Sequence, residues 1–126
     1  DAARQPSWWR DGVRHNSPMT AFKPYLSDIE APTRAEVDAL PGLTVLEFGT
    51  TWCGHCRAAQ PAIAEALAPP TPWRHIRVED GPGQALGRSF RVKLWPTLVL
   101  LKNGHEVARV VRPRHRADIT DAMSGA

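Results

Sequence analysis

A chain of 126 residues suits one domain with one hydrophobic core. Hydrophobic residues at 42% and charged residues at 23% are ordinary for a soluble globular protein. The net charge of +3 comes largely from arginines spread along the chain, densest at Arg109, Arg112, Arg114 and Arg116. No nucleic-acid motif or aromatic interleaving accompanies them, so they read as solvated basic surface and no nucleic-acid partner is expected.

No apolar run approaches the ~20 residues that span a bilayer, so no membrane span is expected. The first twenty residues are polar, with Arg4, Arg10, Asp11 and Arg14, and carry no signal-peptide pattern. The only two cysteines form one close pair, which leaves no scaffold of structural disulfides. That usage fits a reducing, cytoplasmic setting; the periplasm is the alternative if a leader preceded Asp1.

Residues 1–20 read as an N-terminal extension, with Pro6, Gly12, Pro18 and no clear period. Trp8 and Trp9 either fold back on the domain or dock a partner, since each indole buries roughly 150–250 Å². The domain is expected over 21–126. Tyr25-Leu26-Ser27-Asp28-Ile29 reads as an edge strand. Thr33 and Glu36 form a capping box for a short helix to Leu40, ended by Pro41-Gly42. Leu43 to Phe48 is an apolar run, expected as a central strand.

Arg57 to about Leu67 reads as a helix with Ala59, Ile63 and Leu67 on one face and a kink at Pro61. Pro69 to Pro72 closes it. Arg74 to Val78 is a third strand, Gln84 to Phe90 a short helix and Thr97 to Leu101 a strongly apolar strand. Asn103-Gly104 predicts a type I′ hairpin turn into a return strand, Glu106 to Val111. Pro113 is placed in the first turn of a last helix reaching about Met123. The order β-α-β-α-β-α-β-β-α implies parallel crossovers with an antiparallel edge.

The chemistry concentrates at Trp52-Cys53-Gly54-His55-Cys56. Glu47 lies six residues before Cys53, and Pro96-Thr97 begins forty residues after Cys56. A Cys-x-x-Cys pair at a helix start, with an acid upstream and Pro-Thr downstream, is the layout of a dithiol-disulfide exchange site. Cys53 is the expected nucleophile. Only the thiolate attacks, so its pKa must fall below the free value of roughly 8.5. The positive end of the helix and His55 are available to do that. Cys56, one turn inward, is the expected resolving thiol, shielded until it attacks the mixed disulfide. Zinc is a rival use of such a pair, but His15, His75, His105 and His115 show no paired ligand spacing. No metal or other cofactor is expected.

Residues from about Tyr25 to Met123 resemble the thioredoxin superfamily. The resemblance rests on Trp-Cys-Gly-x-Cys, on Pro61 five residues past Cys56, on Pro96-Thr97 and on Lys102-Asn103-Gly104. Glu47-Phe48 and the Gly54-His55 dipeptide are closer to protein disulfide isomerase domains than to thioredoxin proper. Thioredoxins usually carry Asp where Glu47 stands and Pro where His55 stands. Arg114 resembles the mobile arginine of the isomerase domains. The single domain and the Ser124-Gly125-Ala126 end do not resemble a full isomerase. The Arg- and Ala-rich composition points to a bacterial source.

The resemblance implies a thioredoxin fold, a central mixed sheet flanked by helices, in a monomer. It implies a thiol-disulfide oxidoreductase acting on protein disulfides and recharged by a reductase or oxidant. Glu47 is then the proton acceptor for Cys56, partly buried and therefore raised in pKa; an acid exposed at a strand end is the alternative. The Trp95-Pro96 bond is implied to be cis. The expected partner-binding surface is Trp52, Gly54, His55, Trp95, Pro96, Thr97 and Arg114. Trp95 departs from the family, and either walls the site or packs on Trp52. His55 in place of Pro favours a more oxidising couple; the reference points are roughly −270 mV for thioredoxin and roughly −180 mV for protein disulfide isomerase. The alternative function is a thioredoxin-fold binding module or chaperone in which the dithiol tunes partner binding.

Overall fold

Four strands pair in the order β2-β1-β3-β4 in the computed structural model, which describes residues 24–126. The Trp8-Trp9 extension and the expected domain start at residue 21 lie outside those residues. In chain order the elements are α1 (Arg34–Asp38), β1 (Leu43–Gly49), α2 (Gly54–Ala66), β2 (Arg74–Glu79), α3 (Ala85–Ser89), β3 (Thr97–Lys102), β4 (His105–Val111) and α4 (Arg116–Ser124). Strand β2 runs parallel to β1, while β3 is antiparallel to both β1 and β4. This is the thioredoxin fold, with its mixed sheet between helices. No helix of the described residues is long and apolar enough to cross a membrane.

Strand β1 is covered on both faces, and its side chains alternate between two cores. Leu46 and Phe48 join Val37, Ile76 and Phe90 on one face. Val45 joins Ala59, Ile63 and Ile119 on the other, under α2 and α4. Glu47 shares the parity of Val45, so it points into the α2 face. Six of the seven β1 residues are buried, and this is why the strand reads as a continuous apolar run.

Two expected elements are corrected. Tyr25 to Ile29 makes no strand; Leu26 alone bridges Val78. Its backbone exchanges bonds with Arg77 O at 2.8 Å and Glu79 N at 2.9 Å. Ser27 then turns the chain, because its carbonyl accepts from Glu30 and Ala31 while its N–H donates to the Glu30 carboxylate. Pro113 is not in the last helix. The N–H groups of Arg114 and His115 both donate to Asp118 Oδ2, at 2.8 and 3.0 Å, and this sets the helix start at Arg116. The Thr33-Glu36 capping box of α1 forms as the spacing predicts. So does the Asn103-Gly104 turn, with φ of 50° and 82°.

Candidate dithiol site

Strand β1 delivers the chain to a short turn, and α2 begins directly after it. Cys53 is the N-cap, with φ −82° and ψ 121°, and its sulfur accepts the N–H of Cys56 at 3.3 Å. Sulfur thus takes the place that a hydroxyl usually fills at a helix start. The helix therefore starts three residues before Arg57, its expected first residue. It runs through Pro61, which has no N–H for the carbonyl of Arg57. Both thiols are free. Cys53 is 8% exposed and Cys56 1%, so the expected order of access holds, although Cys53 is more covered than its helix-start position suggests. Burial, and then the hydrogen bond with Cys53, push the Cys56 thiol up to about 12. The Thr50 N–H and the Tyr25 hydroxyl act against that rise.

Glu47 is fully buried, and its carboxylate is surrounded by donors. Tyr25 Oη lies 2.8 Å and Gln60 Nε2 3.1 Å from Oε2. His75 Nε2 lies 2.8 Å and Arg77 Nε 3.2 Å from Oε1, with a second Arg77 nitrogen 3.3 Å from Oε2. The expectation of a raised carboxyl pKa is overturned. Burial is the largest single influence and does raise it. The His75 bond and charge, the Arg77 charge and the Gln60 bond together outweigh burial and hold Glu47 at about 2. A carboxylate held so firmly is a poor proton acceptor near neutral pH.

Sequence reasoning missed four of these partners as site residues: Tyr25, Gln60, His75 and Arg77. Signals for three were present. Arg77 sits opposite Glu47 in the parallel register, and His75 lies two residues earlier on the same face. Gln60 stands four residues after Cys56 on a helix face that is otherwise apolar, and its amide also donates to Cys56 O at 3.0 Å. Tyr25 had no signal, because its place depends on the Leu26 bridge.

The Trp95-Pro96 peptide is cis, as the resemblance implies. Trp95 is held on three sides. Its Nε1 donates to Asp80 Oδ2 at 2.8 Å, and its carbonyl accepts from Arg112 Nε at 2.8 Å. Its ring meets Trp52 edge to face at 5.6 Å and 83°. Packing on Trp52 is therefore present, and Trp52 itself stays 70% exposed beside the dithiol. Because Arg112 takes the Trp95 carbonyl, a partner strand reaching that oxygen must share or displace the guanidinium.

Gly54 and His55 are exposed between the cysteines, and the space beside the Gly54 Cα is open. Pro96 is buried. Thr97 is buried too, and its hydroxyl donates to Leu94 O at 2.6 Å, so it braces the loop from within instead of facing a partner. Arg114 is exposed and lines a cavity with Pro61, Ala62 and Glu65, apart from the cavity that holds Cys56.

A buried thiol beneath a helix-capping thiol, with the preceding Trp52 packed on the residue before a cis proline, defines the class of thioredoxin-fold dithiol proteins. A family model described as Thioredoxin matches residues 30–125, and the chain belongs to that family. It is similar to the thioredoxin of Chlamydia pneumoniae, 34% identical over 84 residues that cover 66% of this chain and 81% of that one. It is also similar to Thioredoxin H2-2 of Oryza sativa subsp. japonica, 35% identical over 69 residues, 55% of this chain and 52% of that protein. The chain spans about half the length of the two rice thioredoxins it matches. Among solved structures, thioredoxin 2 from Pseudomonas aeruginosa PAO1 in its reduced form is 56% identical, with a TM-score of 0.67 over 75% of this chain and 87% of that one.

Proposed function

We infer that this chain exchanges disulfides with protein substrates through Cys53 and Cys56. The observation that carries it is the pairing of two free thiols across one helical turn, the outer one capping α2 and the inner one buried. Cys53 attacks the substrate disulfide as thiolate. Cys56 then attacks Cys53 of the mixed disulfide, and the substrate leaves reduced. A reductase or oxidant recharges the pair. Glu47 serves this cycle as a fixed negative charge that holds Arg77, His75, Gln60 and Tyr25 in place. The Gly54-His55 dipeptide and Glu47 support an isomerase-like, more oxidising couple. Catalysed reduction of insulin disulfides by dithiothreitol is expected; a rate equal to that without protein would end this reading.

The exposed Trp52 and the 48% exposed Leu94 support a second reading, a binding module that the dithiol only tunes. The paired Cys53→Ser, Cys56→Ser variant separates the two. Under the exchange reading it loses the activity; a binding module would keep its biological effect.

A further inference from the structure

Among the described residues, Tyr25 bonds the buried carboxylate and lines the same cavity as the resolving thiol. Its hydroxyl donates to Glu47 Oε2 at 2.8 Å and acts to lower the Cys56 pKa. Gly49 makes the meeting possible. A Cβ at that position would stand 2.7 Å from Cys56 Sγ and 2.8 Å from Tyr25 Oη. The ring is held from the other side by Arg77, whose guanidinium carbon lies 4.1 Å from its centroid. A cavity of about 240 Å³ opens on Pro24, Tyr25, Thr50, Cys56, Gln60 and Arg77. Thr50 Oγ1, buried on that wall, has no hydrogen-bond partner among the described residues. The lining is mostly apolar, but Tyr25, Thr50, Gln60 and Arg77 bring polar groups to it, and the space is large enough for water.

We propose that Tyr25 is a catalytic residue of the resolving step, a hydroxyl that turns from Glu47 Oε2 to Cys56 Sγ as charge develops on that sulfur. This rests on the exchange reading above. Glu47 is a weak base for the thiol proton, because the donors around it lower its pKa. The proton goes instead to water through the cavity. The Cys56 thiolate attacks Cys53 Sγ; the Cys53–Cys56 bond forms and the bond from Cys53 to the substrate sulfur breaks. The electron pair leaves with the substrate sulfur, which takes a proton from water. The dithiol is oxidised and the substrate reduced. Glu47 keeps the hydroxyl aimed until the sulfur becomes the stronger acceptor. Burial, and next the Glu47 charge, raise the pKa of Tyr25, so it stays a donor throughout. Among the described residues, the other titratable or charged groups around Cys56 are Cys53, His55 and Arg57 at the start of its own helix, and Glu47, His75 and Arg77 from the sheet.

The test is Tyr25→Phe, which keeps the ring over Arg77 and leaves Glu47 its bonds to Gln60, His75 and Arg77. The probe is the chromogenic disulfide of thionitrobenzoate. Attack by Cys53 releases one coloured thiol and resolution by Cys56 releases a second. The first release should keep its wild-type rate. The second should slow about tenfold, in line with a hydrogen bond to a charged group, and its pH profile should move to higher pH. An unchanged second release and pH profile would overturn the role of Tyr25, as would equal slowing of both releases. If the wild-type protein itself gave no second release, the exchange reading would fall, and the proposal with it.

Discussion

Asp80 accepts the indole N–H of Trp95 at 2.8 Å, and so the end of β2 holds the residue that precedes the cis proline. The carboxylate is itself nearly buried, and Gly87 has no side chain where one would strike it. The Trp52-Trp95 pair therefore stands on Asp80 as well as on its own contact.

Replacing Asp80 by Ala should leave the Trp95 N–H without its partner. The cost expected is about 1–3 kcal/mol, the range for a stranded polar group. The edge-to-face pair should loosen with it. Near-ultraviolet circular dichroism and tryptophan emission would register this, and a spectrum identical to wild type would show that the pair holds Trp95 unaided.

The two thiols should react very unequally. The thiol of Cys56 is pushed up to about 12 by burial and by Cys53, so little of it is ionised near neutral pH. Iodoacetamide should label Cys53 and leave Cys56 until the solution is strongly alkaline. Cys56→Ser should accumulate mixed disulfides and Cys53→Ser should not. Mass spectra showing equal labelling at neutral pH would contradict both assignments.

Glu47→Gln should destabilise the fold, because Arg77 would keep its charge inside the protein without the carboxylate. Removing one partner of a buried pair costs about 3–5 kcal/mol. The pH dependence follows from the direction of the shift. The Glu47 pKa falls from 4.5 to about 2, so its stabilising share is full above 4.5 and is lost as pH falls toward 2. Urea midpoints of the wild type should drop across that window, and those of the Gln variant should drop less. Parallel curves would mean that other carboxylates govern acid unfolding.

Gly49→Ala should be poorly tolerated although its backbone is not in the left-handed region. The added methyl would press on Cys56 Sγ and Tyr25 Oη, both within 2.8 Å. Overpacking of this kind costs typically about 1–3 kcal/mol. Denaturant unfolding gives the cost directly; a wild-type midpoint would show that Tyr25 and Cys56 can move apart freely.

Much of the fold was legible because it rests on local patterns. The capping box at Thr33, the apolar run of β1 and the Asn103-Gly104 turn each declare themselves within a few residues. The dithiol was legible for the same reason: spacing on one helix turn sets its geometry. The surroundings of Glu47 were not. Period-two alternation leaves the face of an acid open when both faces are buried, as they are in β1. The sign of its pKa shift depended on donors from β2, α2 and the Leu26 bridge, which are brought together by pairing and not by proximity in the chain. Pro113 misled because proline is at home in a first helical turn, yet Asp118 captured two N–H groups and set the start later.

The Asn103-Gly104 turn has a practical corollary. Hairpin tips are favoured places to graft epitopes or affinity peptides, since they usually project into solvent. This one is seated. Asn103 exchanges two bonds with Gly42, both at 2.8 Å, and the missing side chain of Gly104 lets the turn press on the Asp38 backbone. A peptide spliced here would pry the turn from the end of α1 and disturb the packing of Val37 and Leu40. For display engineering, the most conspicuous loop of this scaffold is a closed address.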